Sequence, residues 1–420
     1  MEHITDLHIH SRHAVACSDK LTLENIGAAA KMKGIDIIGT GDFTHPVWFS
    51  ELEKKLIDAD ESGLYTLRGS DTGTKFVLSC EIATIFEAGD KSGHVKKVHN
   101  CVLAPSLEAV SQINGALSKF GNLAADGRPV LRLSAAGLSE ILHGIDNRIV
   151  LFGAHVWTPW FGALGAFSGF DSIDDAYEDQ AQHVHAVETG LSSDPGMNWR
   201  VSALDKYTLL SGSDAHSLDK IGREVTSFDF GDKKPSFAGL ERKIREHDTS
   251  MTVEFYPEEG KYHFDGHRNC NVSLSPEESK KYNNLCPKCR RRLTIGVLHR
   301  IEELADREEG ARPISGKPYV HAVPLLEVIA GVSGMGINTK RVRETYDRLI
   351  RAFGSEMGVL LKCDADSLDG VDEGLGNAIS RIRDEKVNVI PGYDGVFGIV
   401  DIMGTVNKKT SGSQRTMQDF

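Results

Sequence analysis

The strongest constraint on this sequence is a pattern that occurs twice, in which two potential metal ligands flank one small or apolar residue. It occurs as His-Ile-His at residues 8–10 and as Asp-Ala-His at residues 214–216. Successive side chains of a β-strand point to opposite faces, so the outer residues of each triplet share a face and can hold one metal ion between them. We interpret both triplets as parts of one metal cluster, together with residues of the same types that border other apolar runs: Asp42, Glu81, His99 and His155.

An alternative is that these residues are ordinary core side chains. A single histidine in a buried strand is more often a hydrogen-bonded core residue than a ligand. Several strand ends that carry only His, Asp or Glu are harder to explain by packing, because each unpaired ionisable group in a core costs several kcal/mol. A shared metal site removes that cost. We therefore predict a cluster of roughly two or three divalent ions, of the Zn, Mn, Fe or Mg type.

Such a cluster also predicts a class of reaction. Two ions ~4 Å apart can bind a phosphoryl oxygen, lower the pKa of a bridging water and stabilise the leaving oxygen, as in phosphatases and nucleases. Glu81 is the natural bridging ligand, because its two carboxylate oxygens can serve both ions. The sequence offers no Ser-His-Asp arrangement, P-loop or Gly-x-Gly-x-x-Gly motif that would support a competing mechanism.

Composition limits the class of protein. The 420 residues are 40% hydrophobic and 26% charged, which is typical of a soluble globular protein with two or three domains. The start has no basic and apolar leader, and no apolar run approaches ~18 residues, so we expect a cytoplasmic protein without membrane segments. The formal net charge of −12 disfavours nucleic-acid binding through overall charge. However, part of this negative charge comes from carboxylates that would bind metal ions. In addition, residues 288–292 and 340–343 form basic islands.

Residues 1–245 alternate short apolar strands with helical segments. Strands are predicted near residues 4, 35, 76, 130, 149, 184 and 209, and helices over 21–33, 49–60, 107–119, 135–142 and 237–245. This alternation is typical of parallel strands. Ligands at the C-terminal ends of many strands favour a β/α barrel over a doubly wound sheet, which binds its ligand in a single crevice. The predicted fold class is therefore α/β, with a barrel as the first domain.

A second ligand pattern follows the barrel segment. His267-x-x-Cys270 and Cys286-x-x-Cys289 are two short-spaced pairs, and a two-residue gap lets both members of a pair reach one tetrahedral ion. We predict that these four residues form a zinc knuckle with one structural zinc ion, with His263 as an alternative to His267. The remaining cysteines are dispersed, which suits a reducing compartment better than a disulfide framework.

The C-terminal segment is predicted to be mainly helical. Apolar spacing predicts helices over 293–305, 325–329, 339–353 and 375–384, and two short apolar runs at 357–361 and 387–390 read as strands. The second run leads into residues 391–398, where three glycines surround Tyr393 and Phe397. These glycines suggest an exposed turn that a planar ligand could approach closely, or a plain hairpin. We also expect a flexible tail beyond residue 407. The predicted domains are thus 1–245, 246–292 and 293–420.

The motifs around the candidate ligands resemble those of the polymerase and histidinol phosphatase (PHP) superfamily, over residues 1 to about 245. That resemblance implies a distorted (β/α)7 PHP-type barrel in which Glu81, Asp214 and His216 are catalytic. It implies one ion held by His8, His10, Glu81 and Asp214, a second by Glu81, His99 and His155, and a third by Asp42 and His216. Many members have His where this sequence has Asp42, and His94 is an alternative to His99.

The full arrangement of barrel, zinc knuckle and helical C-terminal region resembles the endonuclease Q family. The segments Gly-Thr-Gly-Asp-Phe-Thr-His-Pro (39–46) and Pro-Gly-Tyr-Asp-Gly-Val-Phe-Gly (391–398) contribute to this resemblance. It implies a DNA repair endonuclease that cuts the phosphodiester bond 5′ to deaminated bases (uracil, hypoxanthine, xanthine) and to abasic sites. The alternatives are a PHP phosphoesterase for small phosphate monoesters and a non-catalytic DNA-binding PHP module.

A nuclease that cuts beside one altered base must reach that base, and base flipping is the established route. We expect contacts to DNA or to the flipped base from two tryptophans just after His155, from the basic island and from the glycine-rich turn: Trp157, Trp160, Arg290, Arg291, Tyr393, Asp394 and Phe397. The tryptophans could instead pack beneath a barrel loop. A monomer is expected, with lesion-containing DNA as its partner and replication or repair proteins as further candidates.

Overall fold

The computed structural model of the protein describes residues 1–58, 60–69, 72–87 and 95–404. The strands are β1 (Glu2–Asp6), β2 (Ile37–Gly39), β3 (Leu56–Ile57), β4 (Thr66–Leu67), β5 (Lys75–Glu87), β6 (Val95–Ala104), β7 (Val130–Leu131), β8 (Val150–Gly153), β9 (Val184–Glu188), β10 (Thr208–Leu210), β11 (Val225–Asp229), β12 (Met251–Glu254), β13 (Asp265–His267), β14 (Val272–Leu274), β15 (Tyr319–His321), β16 (Asn388–Ile390) and β17 (Ile399–Asp401).

The α-helices are α1 (Leu23–Lys33), α2 (Pro46–Lys55), α3 (Leu107–Leu117), α4 (Ala135–Ile145), α5 (Ile173–Tyr177), α6 (Pro195–Asn198), α7 (Phe237–Arg245), α8 (Pro276–Lys281), α9 (Val297–Leu304), α10 (Leu325–Ser333), α11 (Lys340–Phe353), α12 (Glu356–Leu361), α13 (Ala365–Asp369) and α14 (Leu375–Arg383). No helix of the described residues combines the length and apolar composition needed to cross a bilayer. The tail predicted beyond residue 407 lies outside the described residues.

One large sheet organises the fold. Its strands lie in the order β10-β9-β8-β6-β5-β2-β1-β11-β12-β15, and β7 pairs with β5. The sheet curls into a half-barrel, so the chain after β1 lies beside the chain after β10. Ile9 and Ala215 form a parallel bridge there, and the His10 amide donates to the Ala215 carbonyl at 3.1 Å. This contact makes neighbours of the two triplets, which are about two hundred residues apart in sequence.

The helices of the first half begin and end within a few residues of their predicted positions. In α1, the Thr22 hydroxyl caps the N-terminus by accepting from the Asn25 amide, and Gly34 ends the helix with φ of 82°. Its apolar face, with Ile26 and Ala30, is buried against the sheet. The second helix, α2, ends at Lys55 and not at residue 60, because the chain continues directly into β3, which pairs with β4.

The prediction of parallel strands is wrong for two parts of the sheet, one around β6 and one around β11, which runs antiparallel to β1. Strand β6 runs antiparallel to both β5 and β8. Only residues 88–94 separate β5 from β6, too few for the crossover connection that a parallel pair requires. Pairing with β6 also extends β5 to Glu87, beyond the predicted strand end at residue 80.

The sheet does not stop at the predicted boundary at residue 245. Strand β12 pairs antiparallel with β11, and β15 pairs parallel with β12, so later segments of the chain extend the barrel sheet. The C-terminal helices also pack against the barrel, where Lys33 of α1 forms a buried ion pair with Glu356 of α12 at 2.7 Å. Glu356 additionally accepts from the Leu325 amide and the Tyr346 hydroxyl. The two halves are therefore joined by sheet hydrogen bonds and by a buried charge pair.

The C-terminal region is mainly helical, as predicted, with one element assigned wrongly. Residues 357–361 belong to helix α12 and not to a strand. The Ser355 hydroxyl caps this helix by accepting from the Gly358 amide at 3.1 Å. A short apolar run that is buried on most sides has no period that separates helix from strand. The strand predicted at 387–390 is confirmed as β16, and the helix predicted from 293 begins at Val297 as α9.

Candidate metal centre

His8 and His10 follow β1 and point to the inner face of the curled sheet. The intervening residue, Ile9, and the preceding one, Leu7, are buried in the core. The two imidazole centroids lie 5.6 Å apart, and the Nε2 atom of each ring is buried and makes no hydrogen bond. The alternation predicted for the first triplet therefore produces two converging ligand atoms.

Carboxylates fix the orientation of both rings. Glu188, the last residue of β9, lies 2.9 Å from His8 Nδ1, and Asp42 lies 2.9 Å from His10 Nδ1. A carboxylate on Nδ1 holds the proton there and leaves the Nε2 lone pair free for a metal. The sequence reasoning missed Glu188, although its signal was present, because it is an acidic residue at the end of a predicted strand.

One ligand group consists of His8, His10, Glu81 and Asp214, whose ligand atoms all lie within 4.8 Å of one another. The His10 Nε2 atom lies 3.1 Å from Glu81 Oε2 and 3.2 Å from Asp214 Oδ1. Asp214 Oδ1 is buried without a hydrogen-bond partner, like the two Nε2 atoms. Buried polar atoms without partners are costly, and a divalent ion would satisfy all of them. This donor set fits a divalent metal.

A second group consists of Glu81, His99 and His155. Glu81 Oε1 lies 2.6 Å from His99 Nδ1 and 3.0 Å from His155 Nε2. Glu81 thus belongs to both groups, with one oxygen directed to each. His94, the alternative to His99, lies outside the described residues. Glu81 and His99 lie within β5 and β6 and not at strand ends, because the antiparallel pairing carries both strands across the site.

The carboxylates of the ligand cluster favour positive charge on the groups around them. Burial works against a charged His10, but Asp42, Asp214 and Glu81 raise its pKa well above the usual value. Burial likewise opposes ionisation of Glu81, yet His99 and Arg128 lower the pKa of this carboxyl well below its usual value. Burial lowers the pKa of His99 to about 4, which keeps it neutral as a metal ligand must be. The electrostatics therefore agree with bound cations.

The third ion site implied for Asp42 and His216 stays a prediction. One oxygen of Asp42 faces His10 Nδ1 at 2.9 Å, and the other accepts from the Ser11 amide at 2.6 Å. His216 Nδ1 bonds to the backbone carbonyl of Asp214 at 2.8 Å. Among the described residues, neither side chain belongs to a group of three or more converging ligands. Asp42 instead positions His10.

Three basic side chains near the cluster were missed by the sequence reasoning. Arg128, just before β7, donates to Glu81 Oε2 at 3.1 Å. Arg223 donates to the Ser213 carbonyl at 2.8 Å. Lys261, from the segment after β12, interacts electrostatically with Asp214, and burial lowers its pKa. Isolated basic residues in loops carry no sequence signal, so only the fold shows that they gather here.

The four predicted knuckle residues do converge. His267, Cys270, Cys286 and Cys289 have ligand atoms within 4.8 Å of one another, at the end of the β13–β14 hairpin. His263 is not in this group; its ring stacks on Phe264 at 5.5 Å. The four donor types and their convergence fit a structural zinc ion, as predicted from the spacing.

The predicted stacking role of Trp157 is corrected to a packing role. Its side chain is 1% exposed, and its indole N–H donates to Asn198 Oδ1 at 2.7 Å. Trp160, by contrast, is 37% exposed and stacks on Phe167 with ring centroids 5.0 Å apart. Tyr262 meets the edge of Trp160 at 5.4 Å. The exposed aromatic surface beside the cluster is therefore formed by Trp160 and Phe167.

The glycine-rich turn joins the antiparallel strands β16 and β17, as the hairpin alternative predicted, but it is packed against other segments and not exposed. Tyr393 is buried, and its hydroxyl donates to Asn271 at 2.7 Å. Asp394 accepts from the Thr294 hydroxyl and the Arg268 amide, both at 2.6 Å. These contacts hold the turn against the knuckle segment. Among the remaining DNA-contact candidates, Phe397 is half-buried with Lys261 5.9 Å from its ring, and two arginines are exposed: Arg290 and Arg291.

The curled α/β sheet and its centre of His and carboxylate ligands define the class of metal-dependent hydrolases. A solved structure of the lesion-specific endonuclease PfuEndoQ from Pyrococcus furiosus is 31% identical, with a TM-score of 0.83, and the match covers 99% of this chain and 100% of that one. A structure of endonuclease Q with a 27-mer duplex substrate that has an abasic lesion at the active site is 31% identical, with a TM-score of 0.85 and full coverage of both chains. The chain belongs to the endonuclease Q family.

Two uncharacterized proteins are also similar to this chain. The uncharacterized protein YqxK of Bacillus subtilis is 31% identical over 417 residues, which is 94% of this chain and 97% of the relative. The uncharacterized protein MJ0043 of Methanocaldococcus jannaschii is 33% identical over 247 residues, or 58% of this chain, and the match spans only 31% of the length of that relative. The family model of the MJ0043 C-terminal domain matches residues 324–386, which contain α10 to α14.

Proposed function

We propose that this protein is a DNA repair endonuclease that hydrolyses the phosphodiester bond 5′ to deaminated bases (uracil, hypoxanthine or xanthine) and abasic sites. The observation that carries the proposal is the position of Glu81, whose two oxygens face two separate groups of buried ligands. Full-length similarity to endonuclease Q, whose structure includes a duplex with an abasic lesion, supports DNA as the substrate. The curled sheet is then a distorted (β/α)7 PHP-type barrel, with further domains at 246–292 and 293–420.

The proposed centre holds two divalent ions of the Zn, Mn, Fe or Mg type, and the knuckle holds one structural zinc. The first ion would be held by His8, His10, Glu81 and Asp214, and the second by Glu81, His99 and His155. These are the two groups whose ligand atoms converge. When bound, such ions supply a nucleophile at neutral pH and stabilise the charge that develops on the phosphoryl oxygens.

The chain's own residues prepare this chemistry. Glu188 holds the proton on His8 Nδ1, and Asp42 does the same for His10, so both rings present a free Nε2 atom without reorganisation. Asp214 is held with φ of 45°, which directs its carboxylate between the histidines. Positively charged Arg128 borders the cluster, where a phosphate must enter.

The experiment that tests the proposal compares four end-labelled substrates with one phosphomonoester. The duplexes carry one uracil, one hypoxanthine, one abasic site or no lesion, and the monoester is p-nitrophenyl phosphate. We expect cleavage on the 5′ side of each lesion with Mn²⁺ or Mg²⁺, loss of cleavage in EDTA, and little reaction with the undamaged duplex or the monoester. Monoester hydrolysis with intact DNA would favour the phosphoesterase alternative, and tight DNA binding without cleavage would favour the non-catalytic module.

We further propose that Trp160, with Phe167 behind it, stacks on a base of the opened duplex. Stacking of this kind contributes ~1 to 3 kcal/mol per base. Replacing Trp160 with alanine should therefore slow cleavage of a paired uracil by roughly 5- to 100-fold. The same variant should lose much less activity on uracil in single-stranded DNA, where no duplex has to be opened. Equal losses on both substrates would show that Trp160 only supports the loop fold.

A further inference from the structure

Arg128 reaches the carboxylate that joins the two ligand groups. Its Nη1 donates to Glu81 Oε2 at 3.1 Å, while its side chain remains 27% exposed. A guanidinium has five N–H donors. This is the one hydrogen bond that the guanidinium makes to the part of the chain that the structure describes, so further donors remain for a ligand.

The backbone around Arg128 is held by hydrogen bonds to residues 13–15 and lies against Asp42. Asp126 Oδ1 accepts from the amides of Val15 and Arg128, at 3.0 and 3.2 Å. The Gly127 amide donates to the His13 carbonyl at 2.9 Å, and a Cβ atom at Gly127 would lie 2.5 Å from the Asp42 carboxylate. A side chain at this position would therefore collide with Asp42. Only glycine lets the loop lie against the cluster and deliver Arg128 to Glu81.

The loop places Arg128 next to other groups that face the cluster. Asp42 is fully buried, with one oxygen facing His10 Nδ1 and the other accepting from the Ser11 amide. His216 Nδ1 lies 3.6 Å from Asp214 Oδ1. Arg128 is the cation that the fold places directly on Glu81.

We infer that the Arg128 guanidinium adds a positive charge to that of the metal ions by donating to a nonbridging oxygen of the scissile phosphate. This inference rests on the proposed phosphodiester hydrolysis. Arginine suits the role because its planar fork matches two phosphate oxygens and stays charged at every working pH. Arg128 transfers no proton and stabilises only the charge that develops on the phosphoryl group.

The test compares Arg128→Gln, Arg128→Lys and Arg132→Gln as full-length proteins on an abasic duplex. Arg132 is an exposed arginine one residue after β7 and serves as the matched control. We expect Arg128→Gln to lower kcat about 100-fold, Arg128→Lys to recover part of this loss, and Arg132→Gln to behave as wild type. Cleavage by Arg128→Gln within about threefold of wild type would overturn the inference, since a lost transition-state contact costs more than that.

Metal content provides the second readout. Mass spectrometric metal analysis of the wild-type protein, saturated and then desalted, should give about three ions per chain, one of them in the knuckle. Arg128→Gln should keep the same content, whereas a merely structural role in holding Glu81 would lower it and contradict the inference. If the wild type fails to cleave lesion DNA at all, the proposed function fails first, independently of these counts.

Discussion

Replacing Glu81 with alanine should abolish cleavage of lesion DNA, with a loss of at least about 10³-fold in rate, and should empty both catalytic metal positions. Glu81 is the residue that the two ligand groups share, and its oxygens lie within 3.1 Å of His10, His99 and His155. Without Glu81, the second group keeps only two histidines, and the first keeps two histidines and a single carboxylate, Asp214. The fold should survive, because the core of the barrel is formed by apolar side chains on the strands and helices.

Metal analysis and thermal unfolding check this prediction together with two further variants. Glu87, at the exposed end of the same strand, gives a matched control, and Glu87→Ala should retain both metal and activity. Glu188→Gln should lose more metal and activity than Glu87→Ala and less than Glu81→Ala. Its metal affinity should fall about 10- to 100-fold, because only the orientation of His8 is lost. Full metal occupancy in a stable Glu81→Ala protein would contradict the bridging role.

Replacing Cys286 with serine should remove the structural zinc and disorder the knuckle segment. The local core is very small, with Cys286 packed against Val272 and Leu293, so apolar burial cannot hold this segment in place. Structural zinc sites in comparable small units contribute about 10 to 16 kcal/mol of apparent binding free energy to folding. Because Asn271 and Arg268 anchor the 391–398 turn, the loss should also weaken DNA binding.

The zinc content of this variant should fall by about one ion per chain, and trypsin should cleave faster at the basic residues near 280 and 290. Cys363→Ser is the control, because Cys363 is a free cysteine outside both metal groups and should leave zinc content and protease resistance unchanged. Unaltered zinc in Cys286→Ser would show that the four residues do not form the site.

The chemistry of the centre could be predicted from sequence because ligand type and short spacing are local properties. The two-residue period of a strand places His8 and His10 on one face wherever the strand lies. The same holds for the Cys-x-x-Cys pair, whose gap alone allows two sulfurs to reach one ion. Helices such as α1 were equally predictable, since Thr22 and Gly34 mark its ends through their own hydrogen bonds and backbone angles.

What only the tertiary structure decided is which distant groups meet, and what each one then does. The antiparallel hairpin of β5 and β6 moved Glu81 and His99 from predicted strand ends to the middle of the sheet. The curl of the sheet brought Glu188 and Arg128 to the cluster and turned Asp42 into an orienting group for His10. The physical reason is that strand pairing and packing depend on contacts between residues far apart in the chain, which no local period or spacing encodes.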